Sequence, residues 1–176
     1  MKIRYANPSD AAMLAMLGAK TFREAYGEQI ETKEMEAYMA EFFSAASQAT
    51  ELSDPNSIFL VAETDGTPIG YAKLIINSHH EAVTGQTPME IGRIYFVQQH
   101  TGMGLGSKLI KRCISEAKER GCDTIWLGVW ENNEKAIAFY QKWKFKEVGA
   151  QSFQLGRELQ RDLIMELPFG RIDTVE

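Results

Sequence analysis

The chain has 176 residues, enough for one domain with a substantial core, and a formal net charge of −5. Hydrophobic residues make up 44% and charged residues 24%, which excludes the disordered and fibrous classes. The acidic balance argues against a nucleic-acid partner, no window reaches the roughly 18 apolar residues of a membrane span, and the opening "MKIRYANPSDAAML" has no apolar secretory core; the expectation is one cytoplasmic domain over residues 1–176.

Residues 2–6 (KIRYA) read as a first strand. Asn7, Pro8, Ser9 and Asp10 supply turn and capping chemistry for a helix start. Met13, Leu14, Leu17 and Phe22 make the apolar face of that helix, which Gly27 ends. Thr32 to about Ser47 has the spacing of a second helix, with Met35, Tyr38, Met39, Phe42 and Phe43 on one side. Residues 24–41 carry Glu24, Glu28, Glu31, Glu34, Glu36 and Glu41 against Lys33 alone. "SDPNS" (53–57) then breaks the chain. "SIFLVAET" and "PIGYAKLII" flank "DGT", an Asp-Gly hairpin signal. "MEIGRIYFV" (89–97) is a further strand.

Three alternating glycines follow, Gly102, Gly104 and Gly106, in "HTGMGLGSKLIKRC". From Leu105 to about Arg120 the residues Leu105, Leu109, Ile110, Cys113, Ile114 and Ala117 repeat at helical spacing, and Gly121 ends the helix. "TIWLGVW" (124–130) is too apolar to have one face in water. "NNEKAIAFYQKWKF" is a helix with Ala136, Ile137, Tyr140 and Trp143 on one stripe, and the tail reads as a closing hairpin. The order is β-α-α-β-β-β-α-β-α-β-β, with one parallel βαβ crossover. Cys113 reads as a buried core thiol and Cys122 as inert. His79 and His80 are adjacent and chelate poorly, so no metal is expected.

A strand, a glycine loop and a helix N-terminus bring free N–H groups and the positive end of a helix dipole to one point, which is a pyrophosphate site. The loop lacks the Gly-Lys-Ser/Thr of a Walker site. Gly102-x-Gly104-x-x-Ser107 misses the third glycine of a dinucleotide fingerprint, and there is only one βαβ unit. Glycines that merely make a tight turn remain the bland alternative.

Residues 90–145 resemble the GNAT (Gcn5-related N-acetyltransferase) superfamily. Its phosphate loop [Q/R]-x-x-G-x-[G/A] is matched by "TGMGLG" (101–106), with Thr101 in the first position. Its second motif, N-x-x-A-x-x-x-Y-x-x-x-G-F, is matched by Asn133, Ala136, Tyr140, Lys144 and Phe145, with Lys144 in place of glycine and a looser turn expected there. Over most of the chain the sequence is similar to bacterial PaiA-type spermidine/spermine N-acetyltransferases.

The resemblance implies an α/β fold: a mixed, mostly antiparallel twisted sheet of about seven strands flanked by about four helices. Acetyl-CoA would be the cosubstrate, without a metal. The main chain of Ile94, Tyr95, Phe96 and Val97 would pair with pantetheine, and the Phe96 N–H would hold the developing oxyanion. Thr101, Gly102, Met103, Gly104, Leu105, Gly106 and Ser107 would cradle the pyrophosphate. Asn133 would bind pantetheine, cap its helix, or both. Ala136 belongs to the same motif, and Lys135 or Lys142 would reach an adenosine phosphate. Tyr140 would protonate the leaving thiolate unless it is only a core aromatic. Glu90 would be the general base unless it is only an exposed strand-start carboxylate.

Tyr26, Glu28 and Glu31 would face the acceptor, a primary amine and foremost a polyamine. The glutamate-rich stretch would draw in a polycation unless it is only a solvated helix face. Other amines (a protein N-terminus, a lysine, an aminoglycoside) and a non-catalytic acetyl-CoA-binding regulator are the alternatives. The closing hairpin offers an edge for a homodimer.

Overall fold

The computed structural model describes residues 1–27, 32–100, 104–155 and 158–170. In chain order the elements are β1 (Lys2–Tyr5), α1 (Ala11–Tyr26), α2 (Thr32–Phe42), α3 (Ala45–Ser53), β2 (Ser57–Thr64), β3 (Thr67–Ile76), β4 (Pro88–Phe96), α4 (Leu105–Glu119), β5 (Thr124–Trp130), α5 (Glu134–Lys142), β6 (Lys146–Leu155) and β7 (Glu158–Pro168). All seven strands form one sheet in the order β1-β2-β3-β4-β5-β7-β6. Only β4 and β5 run parallel. This is the mixed, mostly antiparallel sheet that the sequence implied.

The N-terminal polar run works as expected. Asn7 and Asp10 form a reciprocal capping box over a short 3-10 turn, and α1 continues from it. Asp65 and Gly66 both have positive φ (50° and 76°), the conformation of a two-residue hairpin turn, and join β2 to β3.

The stretch expected as one helix to about Ser47 is two. α2 stops at Phe42, and Ser44 caps α3 by accepting from the Ser47 N–H at 3.1 Å. The buried Gln48 side chain donates to the Phe42 carbonyl at 2.8 Å and closes the end of α2.

The sheet is covered on both faces. On one, Leu109, Ile110 and Cys113 of α4 pack against Leu74, Met89, Ile125 and Leu127. On the other, Leu14 and Leu17 of α1 pack against Phe59, Val61 and Tyr71. Cys113 is fully buried, as expected, and burial pushes its thiol up to about 12. Among the described residues, no helix is long and apolar enough to cross a membrane, and no three metal-ligating side chains converge.

α4 and α5 end in the same way. Cys122 N–H reaches the Ala117 carbonyl and Gly121 N–H the Lys118 carbonyl; in α5, Phe145 reaches Tyr140 and Lys144 reaches Gln141. Both are Schellman closures, which need a left-handed residue. Gly121 supplies it at φ 75°, and Lys144 supplies it at φ 70°. The expectation of a looser turn at Lys144 is therefore corrected: the turn is as tight as a glycine would make it, and the lysine bears the strain. Lys144→Gly relieves a left-handed penalty of about 1–2 kcal/mol, offset by the entropy that glycine loses on folding. The expected outcome is a net gain of about 0.5–1 kcal/mol in urea unfolding, and a loss would count against this account of the turn.

Candidate active site

β4 and β5 share three register pairs, Pro88 with Thr124, Met89 with Ile125 and Glu90 with Trp126. Then they part. β5 pairs along its whole length with β7 instead. On its other side, β4 carries a bulge: Lys73 pairs with Arg93 and Leu74 with Ile91, so Gly92 is an extra residue that bends the strand. A cleft of about 490 Å³ opens in the gap, floored by Ile91 to Phe96 on one side and Leu127 to Trp130 on the other.

The edge of β4 that faces this cleft has free main-chain groups. The Val97 N–H donates to the Ile69 carbonyl at 2.9 Å, which makes Val97 and Ile69 a hydrogen-bonded pair of the antiparallel β3–β4 ladder. Such pairs alternate with non-bonded ones. Tyr95 therefore also faces β3, while the N–H groups of Ile94 and Phe96 point away from it, into the cleft. The expectation that all four residues from Ile94 to Val97 offer main chain to a ligand is corrected to Ile94 and Phe96. Val97 lies outside the lining of the cleft.

Helix ends frame the far part of the site. Gly104 is the N-cap of α4 in the left-handed region, φ 73°, and a Cβ there would meet open space. Gly106 is the second residue of α4, and a Cβ there would lie in ordinary contact with the Phe139 ring of α5, at 3.6 Å. Leu105 and Ser107 are half-buried in the same first turn. Thr101, Gly102 and Met103 lie outside the described residues. Asn133 caps α5, its Oδ1 accepting from the Ala136 N–H at 3.2 Å, and Asn133 and Ala136 both line the cleft. Lys135 and Lys142 are exposed and do not line it.

Tyr140 enters the cleft from α5. The ring is buried between Phe139 and Phe145, and burial raises its phenol well above the usual tyrosine range. Among the described residues none hydrogen-bonds its hydroxyl. From the opposite side come Phe22 and Tyr26 of α1 and Tyr38 and Phe42 of α2. Phe22 stacks on Tyr38 with centroids 4.7 Å apart, and Tyr26 lies 6.4 Å from Trp130 across the mouth. Glu28 and Glu31 lie outside the described residues.

The charged groups differ from expectation. The structure does not bring Glu90 into the cleft. It sits on the still-paired part of β4, where the Ser78 hydroxyl donates to its carboxylate at 2.5 Å. Glu24 is likewise engaged, accepting from the Gln98 N–H at 2.8 Å. Among the described lining residues the one carboxylate is Asp162 of β7, half-buried beside Trp130, and the one cation is Arg93. Arg93 is held by Glu51 through two bonds of 2.7 and 2.9 Å, with Lys73 3.0 Å from the same carboxylate. The sequence pattern did not single out Asp162, Arg93, Tyr38 or Trp130 as site residues.

A parted parallel pair beside a glycine-capped helix is the arrangement of the acyl-coenzyme A transferases that the motifs resemble. The acetyltransferase (GNAT) family pattern matches residues 19–145, and the chain belongs to that family. An uncharacterized N-acetyltransferase of Mycobacterium tuberculosis is 30% identical over 157 residues, covering 89% of this chain and 96% of its own. A spermine/spermidine N(1)-acetyltransferase of Bacillus subtilis is 26% identical over 100 residues, 56% of this chain and 66% of its own. The crystal structure of a PaiA N-acetyltransferase from Thermoplasma acidophilum in complex with coenzyme A superposes with a TM-score of 0.77, at 23% identity over 96% of this chain and 98% of that one. The protein is an acetyl-CoA-dependent N-acetyltransferase.

Proposed function

We propose that the protein acetylates a primary amine, foremost a polyamine such as spermidine or spermine, by direct attack in a ternary complex in the cytoplasm. The observation that carries this reading is the free inner edge of β4. Acetyl-CoA supplies an activated acetyl thioester. The Ile94 and Phe96 N–H groups hold the pantetheine arm, and the Phe96 N–H donates to the acetyl oxygen as negative charge develops there. The main chain from Thr101 to Ser107, at the N-terminus of α4, takes the pyrophosphate. Asn133 and Ala136 border the arm, and Lys135 and Lys142 meet the adenosine phosphate. Tyr140 gives its proton to the departing sulfur; its buried, fully protonated phenol suits a donor.

The acceptor half of the cleft supports a cation with apolar length. The methylenes of a polyamine pack on Phe22, Tyr26, Tyr38 and Trp130, and an ammonium over such rings gains about 0.5–2 kcal/mol. The glutamate-rich segment that carries Tyr26 and Tyr38, with Glu28 and Glu31, adds attraction at longer range. The names of the Bacillus and Thermoplasma proteins favour the same class. The outer edge of β6 is available for pairing two copies.

Release of free thiol from acetyl-CoA across an amine panel tests the reading. The expected result is saturable release with spermidine and spermine. Release only with lysine peptides, N-terminal peptides or aminoglycosides keeps the transfer and moves the acceptor. Binding of CoA without release to any amine assigns the chain to non-catalytic acetyl-CoA sensing.

A further inference from the structure

We infer that Asp162 is the residue that receives the acceptor amine, first as the counter-ion of its ammonium and then as the base that takes its proton. This rests on the acetyl-transfer reading of the cleft.

Three observations converge on it. First, position: β7 lies beside β5, and the register pairs Asp162 with Trp130 at the open end of the cleft. Its Oδ2 stands 3.6 Å, and the Nε2 of its β6 register partner Gln151 3.4 Å, from the point where Gly128 would carry a Cβ, so the carboxylate lies over backbone in the floor of the cleft. Second, solitude. Other carboxylates buried or half-buried against this sheet have donors: Glu51 has Arg93 and Lys73, Asp10 has Arg4, Glu116 has Arg112 and Arg120, and Glu166 has Thr84. Among the described residues none donates to Asp162, although it is half-buried. A partly desolvated carboxylate without a donor is unfavourable until a cation arrives. Third, its walls: Tyr26 and Tyr38 line the same cleft, and Trp130 is its strand neighbour. A carboxylate among aromatic faces is a receptor for an alkylammonium.

Burial also raises the Asp162 carboxyl above the ordinary aspartate range, which makes it a better proton acceptor than an exposed one. In the step, the amine nitrogen gives one proton to Asp162 and its lone pair forms the N–C bond to the acetyl carbon. The C–S bond then breaks, the sulfur takes the Tyr140 proton, and the second proton leaving the nitrogen passes to the Tyr140 oxygen and restores the phenol. The Asp162 proton leaves to solvent through the open mouth.

The titratable groups that line the cleft with Asp162 are Tyr26 of α1, Tyr38 of α2, Tyr95 and Arg93 of β4 and Tyr140 of α5. All are displaced upward, the tyrosines first by burial and Arg93 by its bond to Glu51 in spite of burial. Next along the strand, Arg161 is paired with Glu131 at 2.9 Å. An acid limb in the rate is therefore assigned to Asp162.

The test compares wild type, Asp162→Asn and Glu90→Gln with acetyl-CoA and the best amine of the panel. The expected result for Asp162→Asn is a fall in kcat/KM for the amine of about 10²–10⁴-fold, an unchanged KM for acetyl-CoA, and loss of the acid limb of the kcat–pH profile. Thermal stability at neutral pH should be unchanged or higher. A carboxyl whose pKa is raised in the fold costs stability once the pH passes above its ordinary value, and the amide removes that cost. Glu90→Gln should stay within about threefold of wild type, far inside the range expected of a lost base. Equal turnover and an intact acid limb in Asp162→Asn overturn the assignment and leave acetyl transfer standing. A wild type that releases no thiol with any amine overturns the transfer reading, and the assignment with it.

Discussion

Tyr140→Phe is expected to lower kcat by about 10²-fold or more, the usual scale for removing one general acid. Tyr140 lines the gap between β4 and β5 from α5, and none of the described residues bonds its hydroxyl. Its neighbours are the Phe139 and Phe145 rings and the neutral, buried Cys113. Burial holds the phenol protonated throughout the working range. Removing such a hydroxyl deletes no internal hydrogen bond, so stability should be unchanged or slightly higher. The KM for acetyl-CoA should also hold, because the ring stays in place through the closure that ties the Tyr140 carbonyl to the Phe145 N–H. Unchanged kcat removes Tyr140 from the chemistry and leaves it as a core aromatic.

The second large effect is on stability. Glu51→Gln should destabilise the protein by about 3 kcal/mol, the scale for breaking a buried ion pair from one side. For a chain of this size that is a fall of about 6–12 °C in Tm. Glu51 of α3 reaches two cations on the sheet, Arg93 and Lys73, whose side chains are each only 13% exposed. The variant leaves both without a counter-charge beneath the cleft. Burial by itself would raise the Glu51 carboxyl, but the hydrogen bonds and charges of Arg93 and Lys73 outweigh it and hold the group below the ordinary glutamate range. A lowered folded pKa gives stability that is present above the ordinary value and lost as the pH falls through the folded one. The gap between wild type and variant should therefore shrink on acidification. A gap independent of pH between neutrality and strong acid would contradict this account. Arg93 also lines the cleft, so its release should raise the KM for a cationic acceptor.

What the sequence disclosed follows from range. The capping box at Asn7, the Asp65-Gly66 hairpin, the stripe of α4 and the glycine before it depend on neighbours within a few positions, and all appear where expected. The motif from Asn133 to Phe145 places Tyr140 in the cleft for the same reason. The break between α2 and α3 was hidden because Phe42 and Phe43 continue the apolar stripe across it. Ser44 reads as a cap only once Ser47 and Gln48 are seen to turn back on it. The bulge at Gly92 depends on β3, and nothing in the local pattern of β4 announces it.

The cleft acid was hidden more deeply. Glu90 attracted attention because it begins the strand that leads to the glycine loop, yet the strands part only after it. Asp162 lies far along the chain in an ordinary alternating strand. It reaches the site because β7, not β6, inserts beside β5. Lys144 shows the reverse: a departure from the family motif that left the geometry intact, since lysine accepts the left-handed φ.

The central claim is that acetyl-CoA lies along β4 where β5 has left it, and amide NMR of the labelled protein titrated with CoA tests it most directly. The account predicts large shifts and slowed hydrogen exchange at the amides of Ile94 and Phe96, together with shifts at Gly104, Gly106 and Ser107. Tyr95 and Val97, whose N–H groups face β3, should keep their exchange rates. CoA binding that leaves Ile94 and Phe96 unmoved, or that protects Tyr95 and Val97 instead, would contradict it.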